Sequence, residues 1–249
     1  MNTIGIIQAR MSSSRLPGKI LLPLGGATAL HWVYRRVLLA KLVDRVVIAT
    51  TTNPADDIIE HTCRENDWPC FRGSEDDVLG RVYECARAND ADVIVDVTSD
   101  CPFVDPCHID NLIQTQSNGK FDYVSNDVID RSWPDGLDCQ VYTMLALAKA
   151  AHGFFNTPPG IFPEHSGWNI AKPLAHLFKI WHWKAPEHLH APDLSLSLDT
   201  YEDYLFLQKC LRSMVGHDFD VELLIREILN DTIAPTNDGV DRKWRRAGR

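Results

Sequence analysis

Short apolar runs alternate along the chain with stretches of helical period. Ile4-Gly5-Ile6-Ile7, Val46-Val47-Ile48-Ala49 and the run Asp92–Thr98 (DVIVDVT) have the length and β-branched content of buried strands. Between them, Leu30, Val33, Val37 and Leu38 mark a helix over Ala29–Ala40. A second helix is expected over Asp56–Asn66, and a third, with Leu79, Val82, Tyr83 and Ala86 on its apolar face, follows a short strand at Cys70-Phe71. Strands that read as continuous apolar runs are covered on both faces, and the intervening helices supply the cover. The pattern predicts an α/β fold with a mostly parallel central sheet and helices on both faces.

The second half continues the pattern less regularly. A helix is expected over Ile109–Gln116, a strand over Phe121–Ser125, an alternating strand over Leu137–Tyr142 and a helix over Met144–Ala151. Gly153–Pro163, with Pro158-Pro159-Gly160, reads as a loop or lid. Leu177–Trp183 reads as a strand whose aromatic face suits packing, and Leu194–Thr200 (LSLSLDT) as a strand ending on Asp199. Helices over Tyr201–Cys210 and Val221–Leu229 close the chain, which divides into a main domain (1–215) and a helical extension with a tail (216–249).

At 249 residues the chain is expected to bury roughly 70–75% of its unfolded surface, enough for a core without disulfide or metal staples. Its net charge of −9 argues against nonspecific nucleic-acid binding. The basic end, Arg242 to Arg249, reads as a solvated tail. Seven scattered cysteines without a C-x-x-C pair read as reduced thiols of a cytoplasmic protein. No leader-like or membrane-spanning apolar stretch is present. H-E-x-x-H, G-x-S-x-G and G-x-G-x-x-G are absent.

The chemistry gathers in Thr3–Lys19, TIGIIQARMSSSRLPGK. A buried strand stops at Gln8, and a polar loop follows with Arg10, Ser12, Ser13, Ser14, Arg15 and Lys19. Two readings fit, a solvated basic loop and a phosphate site. A basic loop leaving a buried strand of an acidic protein favours the second. It is not a Walker A loop, because Ser13 stands where that motif has its first glycine and Ile20 follows Lys19. Asp100 follows the central strand, where open α/β sheets bind ligands; it reads as a metal ligand or as a turn cap. Asp199 is a second carboxylate at an expected strand end, as a shared magnesium site requires. Ser74 and Asp77 read as a helix N-cap, and Gly73 after Arg72 allows close backbone approach. Asp135 and Asp138 face a ligand or close the turn around Gly136.

QARMSSSRLPGKILLPLGG resembles the N-terminal motif of the cytidylyltransferase family, and within it the branch named after a spore-coat polysaccharide biosynthesis protein. VVIATTTNPADD, FRGSEDDVLGR, TSDCPFVDP, DYVSND, WPDGLDCQVY and SLDTYED follow in the family's order, so the resemblance extends from about Ile4 to Leu207. It implies a Rossmann-like, GT-A-like nucleotidyltransferase fold over residues 1–215, using CTP and Mg²⁺. It further implies transfer of CMP to a sugar acid or related acidic acceptor with release of pyrophosphate, in polysaccharide biosynthesis, by a homodimer. Arg10, Ser12, Ser13, Arg15 and Lys19 would hold the triphosphate, with Arg10, Arg15, Lys19 and Asp100 carrying the catalysis. The backbone of Ala9 and Met11 would lie beside the nucleotide. Arg72, Ser74 and Arg81 would position cytosine or ribose. Asp100 and Asp199 would hold magnesium, and Asp135, Asp138, Glu164 and His165 would line the acceptor side.

The sequence departs from the family pattern at three places. Ser99 stands where the family usually has glycine, Gln140 where the branch tends to have glutamate, and Ser166-Gly167-Trp168-Asn169 where it usually has Val-Thr-Pro-Tyr. The last two fall on the acceptor side. Two other function classes remain open on sequence grounds. One is a nucleotide-sugar glycosyltransferase, although Asp90-Ala91-Asp92 precedes its strand where that class needs a D-x-D at a strand end. The other is a nucleotide-binding module without turnover.

Overall fold

A computed structural model describes residues 1–153, 163–214, 219–237 and 240. β1 (Thr3–Gln8) leads through the loop at 9–18 and a tight hairpin, β2 (Pro23–Leu24) and β3 (Ala27–Thr28), into α1 (Ala29–Leu39). Then come β4 (Arg45–Thr51), α2 (Asp57–Glu65), β5 (Cys70–Gly73), α3 (Val78–Ala88), β6 (Val93–Thr98) and α4 (Pro106–Gly119). The second half adds β7 (Tyr123–Ser125), β8 (Gln140–Thr143), α5 (Met144–Gly153), α6 (Gly167–Ala171), β9 (Ile180–His182), α7 (Tyr201–Ser213) and α8 (Val221–Leu229).

The sheet order is β5-β4-β1-β6-β8-β7-β9. β5, β4, β1 and β6 run parallel, whereas β8 is antiparallel to both β6 and β7. From β1 the chain builds outward through β4 and β5, then crosses to β6 on the other side. The order therefore reverses between β1 and β6, and a crevice opens at their carboxyl ends. Gln8 at the end of β1 lies in register with Thr98 at the end of β6.

Three apolar clusters hold the layers together. Val33 and Val37 of α1 and Ile109 and Leu112 of α4 pack on one face of the sheet. Leu79 and Val82 of α3, Leu147 of α5 and Ile170 of α6 pack on the other. The third cluster joins Trp32, Phe103 and Trp133 to α7 and to α8, which lies in the segment expected as an extension. Arg36, fully buried, ties these parts together: its guanidinium donates to Val104 O (2.7 Å) and Phe219 O (3.2 Å) and pairs with Asp105 (3.0 Å).

Two local expectations change. Asp77, not Ser74, caps α3: its Oδ1 accepts from Gly80 N–H (2.8 Å), while Ser74 Oγ accepts from Asp77 N–H (3.0 Å) and closes the turn before the helix. Leu194–Thr200 is extended but not a ladder strand. Its neighbour is the turn around Gly136 rather than another strand, so it makes one bridge, Asp135 to Ser195. Its leucines fill the third cluster while Ser195 and Ser197 are buried as well. The expected lid falls largely on residues 154–162, and the basic tail on 241–249, outside the described residues. Among the described residues no helix is long and apolar enough to cross a membrane.

Candidate active site

The loop after β1 folds back over the crevice on backbone hydrogen bonds. Met11 O accepts from Ser13 N–H (2.9 Å) and Gly18 N–H (3.2 Å), and Met11 N–H donates to Asp56 Oδ1 (2.7 Å). Gly18 has φ 70°, a conformation that L side chains rarely adopt, and it turns the chain so that Lys19 re-enters the crevice. Lys19 Nζ lies 2.7 Å from Asp100 Oδ2 and 2.8 Å from Asp199 Oδ1. Arg15 Nη2 reaches the same Asp199 oxygen at 2.6 Å.

Asp100 and Asp199 are placed by unrelated parts of the chain. Thr98, the last residue of β6, donates its hydroxyl to Asp100 Oδ1 (2.6 Å). Leu198 N–H donates to Asp100 O (2.8 Å), which clips the extended segment beside the end of β6. The turn around Gly136 holds that segment from behind, through Asp135 N–H to Leu194 O (3.0 Å) and Leu196 N–H to Asp135 O (2.7 Å). Thr200 then starts α7 with a capping box shared with Asp203. Burial alone would raise the Asp199 carboxyl, but the Lys19 ammonium and the Arg15 guanidinium hold it well below the usual carboxylate range. Burial likewise works against the Lys19 charge, and Asp100 and Asp199 overcome it, so its pKa is raised.

A cavity of about 290 Å³ lies under this loop. Of the residues expected to hold nucleotide, Ala9, Arg10, Ser12, Ser13, Arg15, Lys19, Arg81 and Asp100 line it. Met11 stands at the loop's pivot and packs inward on the core. Arg81 comes from α3, is 3% exposed, and its Nε has no hydrogen-bond partner. Burial and the neighbouring Arg10 lower its pKa. Arg10 itself makes no ion pair among the described residues. Two cations therefore face the cavity without a bonded carboxylate.

Arg72 and Ser74 do not line this cavity, although the Ser74 carbonyl accepts from Arg81 Nη1 (2.5 Å). Arg72 is held by Thr51 O (2.8 Å), Asn53 O (3.1 Å), Asp57 (2.7 Å) and Glu60 (2.9 Å). Ser74 lines a second cavity of about 280 Å³ beside Tyr83 and His152, which shares Arg81 with the first.

A smaller cavity, about 150 Å³, adjoins the first and shares Gln8, Thr98 and Glu164 with it. Asp138, Glu164 and His165, all expected on the acceptor side, line it. Asp135 does not; it is turned to Ser197 Oγ (3.0 Å) and to Arg131 (3.2 Å). Three members of this cavity carry little signal in the sequence. Gln8 stands there only as the end of a strand. Asp96 sits in the middle of the apolar run of β6, where a lone carboxyl was the available signal. It accepts from Gln8 Nε2 (2.6 Å), Tyr142 Oη (2.7 Å) and Ser166 Oγ, and burial pushes its pKa up. Asp127 closes the DYVSND motif. Burial and the charge of Asp138 push its carboxyl up to about 7, against the pull of Arg131.

The D-x-D-like Asp90-Ala91-Asp92 lies at the opposite end of β6, where Asp92 accepts from Asn2 N–H (2.7 Å). The mostly parallel sheet, with helices on both faces, is of the nucleotidyltransferase fold class. Residues 4–132 match the cytidylyltransferase family. The chain is 36% identical over 220 residues to the spore coat polysaccharide biosynthesis protein SpsF of Bacillus subtilis, covering 87% of this chain and 88% of that one. It is 37% identical over 116 residues to the 3-deoxy-manno-octulosonate cytidylyltransferase of Trichlorobacter lovleyi, covering 46% of this chain and 44% of that one. The structure of a cytidylyltransferase from Leptospira borgpetersenii superposes with a TM-score of 0.84 at 28% identity, over 97% of this chain and all of that one. This chain belongs to the cytidylyltransferase family.

Proposed function

We propose that the chain transfers CMP from CTP to a hydroxyl of a small sugar-like acceptor, releasing pyrophosphate. The observation that supports this reading is that two cations without a bonded carboxylate, Arg10 and buried Arg81, share one cavity with a lysine poised between two carboxylates. The acceptor hydroxyl loses its proton to water as its oxygen attacks the α-phosphorus, a new P–O bond forms, and the bond to the pyrophosphate oxygen breaks in line. Such a reaction asks the protein for alignment and charge neutralisation rather than for a nucleophile of its own. Arg10, Arg15 and Lys19 bind phosphate oxygens and stabilise the charge that moves onto the leaving group. Arg81 holds the nucleotide from the α3 side. The loop hydroxyls of Ser12 and Ser13 add neutral contacts.

Asp100 and Asp199 both reach one ammonium, so they offer two hard oxygen ligands at one point, the donor type magnesium takes. A magnesium ion held there would neutralise phosphate charge alongside the cationic side chains. Lys19 would then be released from the carboxylates toward the triphosphate.

The test is pyrophosphate release with CTP, magnesium and a panel of sugars. Asp100→Asn and Asp199→Asn are each expected to abolish release. Full turnover in either variant removes the cation assignment. No release with any acceptor refutes the transferase reading.

A further inference from the structure

Gln8 stands at the boundary of two cavities. It lines the phosphate cavity and the smaller one beside it, a position it shares with Thr98 and Glu164. It is the last residue of β1, and strand alternation puts its side chain on the face of Ile4 and Ile6, which α3, α5 and α6 cover. Ile94 of β6 is on that face, so Asp96, two residues on, is as well. Ile6 pairs with Asp96 and Gln8 with Thr98, which sets Gln8 and Asp96 diagonally across the β1–β6 pair.

A side-chain amide has two hydrogens on its nitrogen and an oxygen that only accepts. Both Gln8 hydrogens are taken within the fold: Nε2 donates to Asp96 Oδ1 (2.6 Å) and to Ser166 Oγ (3.0 Å). Asp96 is itself fixed, with Tyr142 Oη (2.7 Å) and Ser166 Oγ both on its other oxygen. The contact does not depend on the charge of Asp96. A proton among Oδ2 and the two hydroxyls leaves Oδ1 an acceptor, so Gln8 keeps its nitrogen toward Asp96. The Gln8 carbonyl oxygen is what remains. It has no hydrogen-bond partner among the described residues, and it is not one of the polar atoms sealed in the core. The carbonyl is therefore the group that Gln8 offers to the cavities. Its two neighbours at the boundary are less suited to accept a hydrogen bond beside a phosphate chain. Thr98 is engaged with Asp100 (2.6 Å), and Glu164 is an exposed carboxylate, which repels phosphate.

We propose, on the cytidylyltransferase reading, that the Gln8 carbonyl orients the attacking hydroxyl. It accepts that hydroxyl's hydrogen and so turns an oxygen lone pair toward the α-phosphorus. Asp96 and Ser166 are positioning residues that hold the amide this way round. Gln8 takes no proton, because an amide oxygen is too weak a base; the proton leaves to water as the new P–O bond forms. A neutral acceptor does this without setting a negative charge against the triphosphate. The role asks only a hydroxyl of the acceptor and is indifferent to the other groups that molecule carries.

The test uses the full chain with CTP, magnesium and a panel of sugars and sugar acids. Pyrophosphate release is followed with the acceptor that the wild type turns over fastest, and CTP affinity is measured by calorimetry. Gln8→Met keeps the length of the side chain and removes the carbonyl. It is expected to lower kcat about tenfold to a hundredfold, with little change in the Kd for CTP or in the melting temperature. Asp96→Asn keeps the shape of the carboxyl but turns an NH2 group toward Gln8, which inverts the Gln8 amide. It is expected to lower kcat in the wild-type background and to add little in the Gln8→Met background, because it acts through that amide. Undiminished kcat in Gln8→Met overturns the proposal and leaves the transferase reading standing. A tenfold weaker Kd for CTP with kcat kept does the same, since it places the carbonyl on the nucleotide. Equal losses from Asp96→Asn in both backgrounds overturn the positioning role of Asp96. No release by the wild type with any acceptor overturns both readings.

Discussion

The Lys19 ammonium lies 2.8 Å from Asp199 Oδ1, a carboxylate 180 residues further along the chain. The two meet because the loop after β1 turns back at Gly18 and the segment before α7 is clipped to Asp100. Lys19→Met takes this partner from both Asp100 and Asp199. Removing one member of a buried ion pair typically costs about 3–5 kcal/mol. Lys19→Met is therefore expected to lower stability in denaturant melts. It is also expected to cut turnover by about 10²–10³-fold, the usual loss for a preorganised electrostatic contact. Wild-type turnover in Lys19→Met would remove Lys19 from the site.

Asp199 gives the acid limb of stability a specific origin. Its folded pKa is depressed by Lys19 and Arg15, so the unfolded state takes up the proton first as pH falls. Its contribution is complete above the unfolded carboxylate value of about 3.9 and is lost as pH drops below it. Thermal melts between pH 6 and pH 3 should therefore fall more steeply for the wild type than for Asp199→Asn. Parallel curves would show that the pair adds no pH-dependent stability.

His108 predicts a second, milder pH effect. It is buried against Trp133 and Trp183, at 4.3 and 4.9 Å between ring centroids. Neither ring nitrogen has a hydrogen-bond partner, and Nε2 is 3.5 Å from Glu222. Burial lowers its pKa and Arg36 adds to this, while Asp105 and Glu222 pull the other way. A histidine kept neutral in the fold destabilises it once the unfolded chain takes a proton, so stability is expected to decline as pH falls below about 6.5. His108→Phe keeps the ring packing, and its melting temperature should change less between pH 7 and pH 5 than the wild type's. An unchanged slope would assign the effect elsewhere.

Gly136 connects the core to the site. Its φ is 96°, and a Cβ there would lie 2.3 Å from the carbonyl carbon of Leu196. Gly136→Ala combines backbone strain of about 1–3 kcal/mol with a backbone collision. It is expected to lower the melting temperature and to reduce turnover as well, because the segment it would push aside carries Asp199. Lost stability with unchanged turnover per folded molecule would show that the segment yields without moving Asp199.

The parts of this architecture that the sequence disclosed are those governed by local pattern. The buried runs at Ile4–Ile7, Val46–Ala49 and Val93–Val97 have no polar face, and only a covered parallel sheet accommodates three of them. The basic loop was legible because Arg10, Arg15 and Lys19 stand close together after a strand. Pairings over long separations were not legible in this way. Leu194–Thr200 has the alternation of a strand, but alternation does not say whether a neighbouring strand exists. Arg72 stands beside a glycine at a strand end, as a ligand contact would, yet Asp57 and Glu60 of α2 claim it. Asp96 is hidden in an apolar run, and its three donors come from β1, β8 and the residue before α6. Asp127 and Gln140 are 13 residues apart, and only the β7–β8 pairing brings them together.

Lys19 and Arg15 are matched with carboxylates. On the proposed function, nucleotide binding at this loop is consequently an ion exchange. A triphosphate takes the lysine from Asp100 and Asp199 only if a cation arrives with it to replace that lysine. A lone chloride, phosphate or carboxylate brings no replacement for Lys19 and is left with Arg10 and Arg81. On the proposed function, the loop thus favours a metal–triphosphate complex over simpler anions.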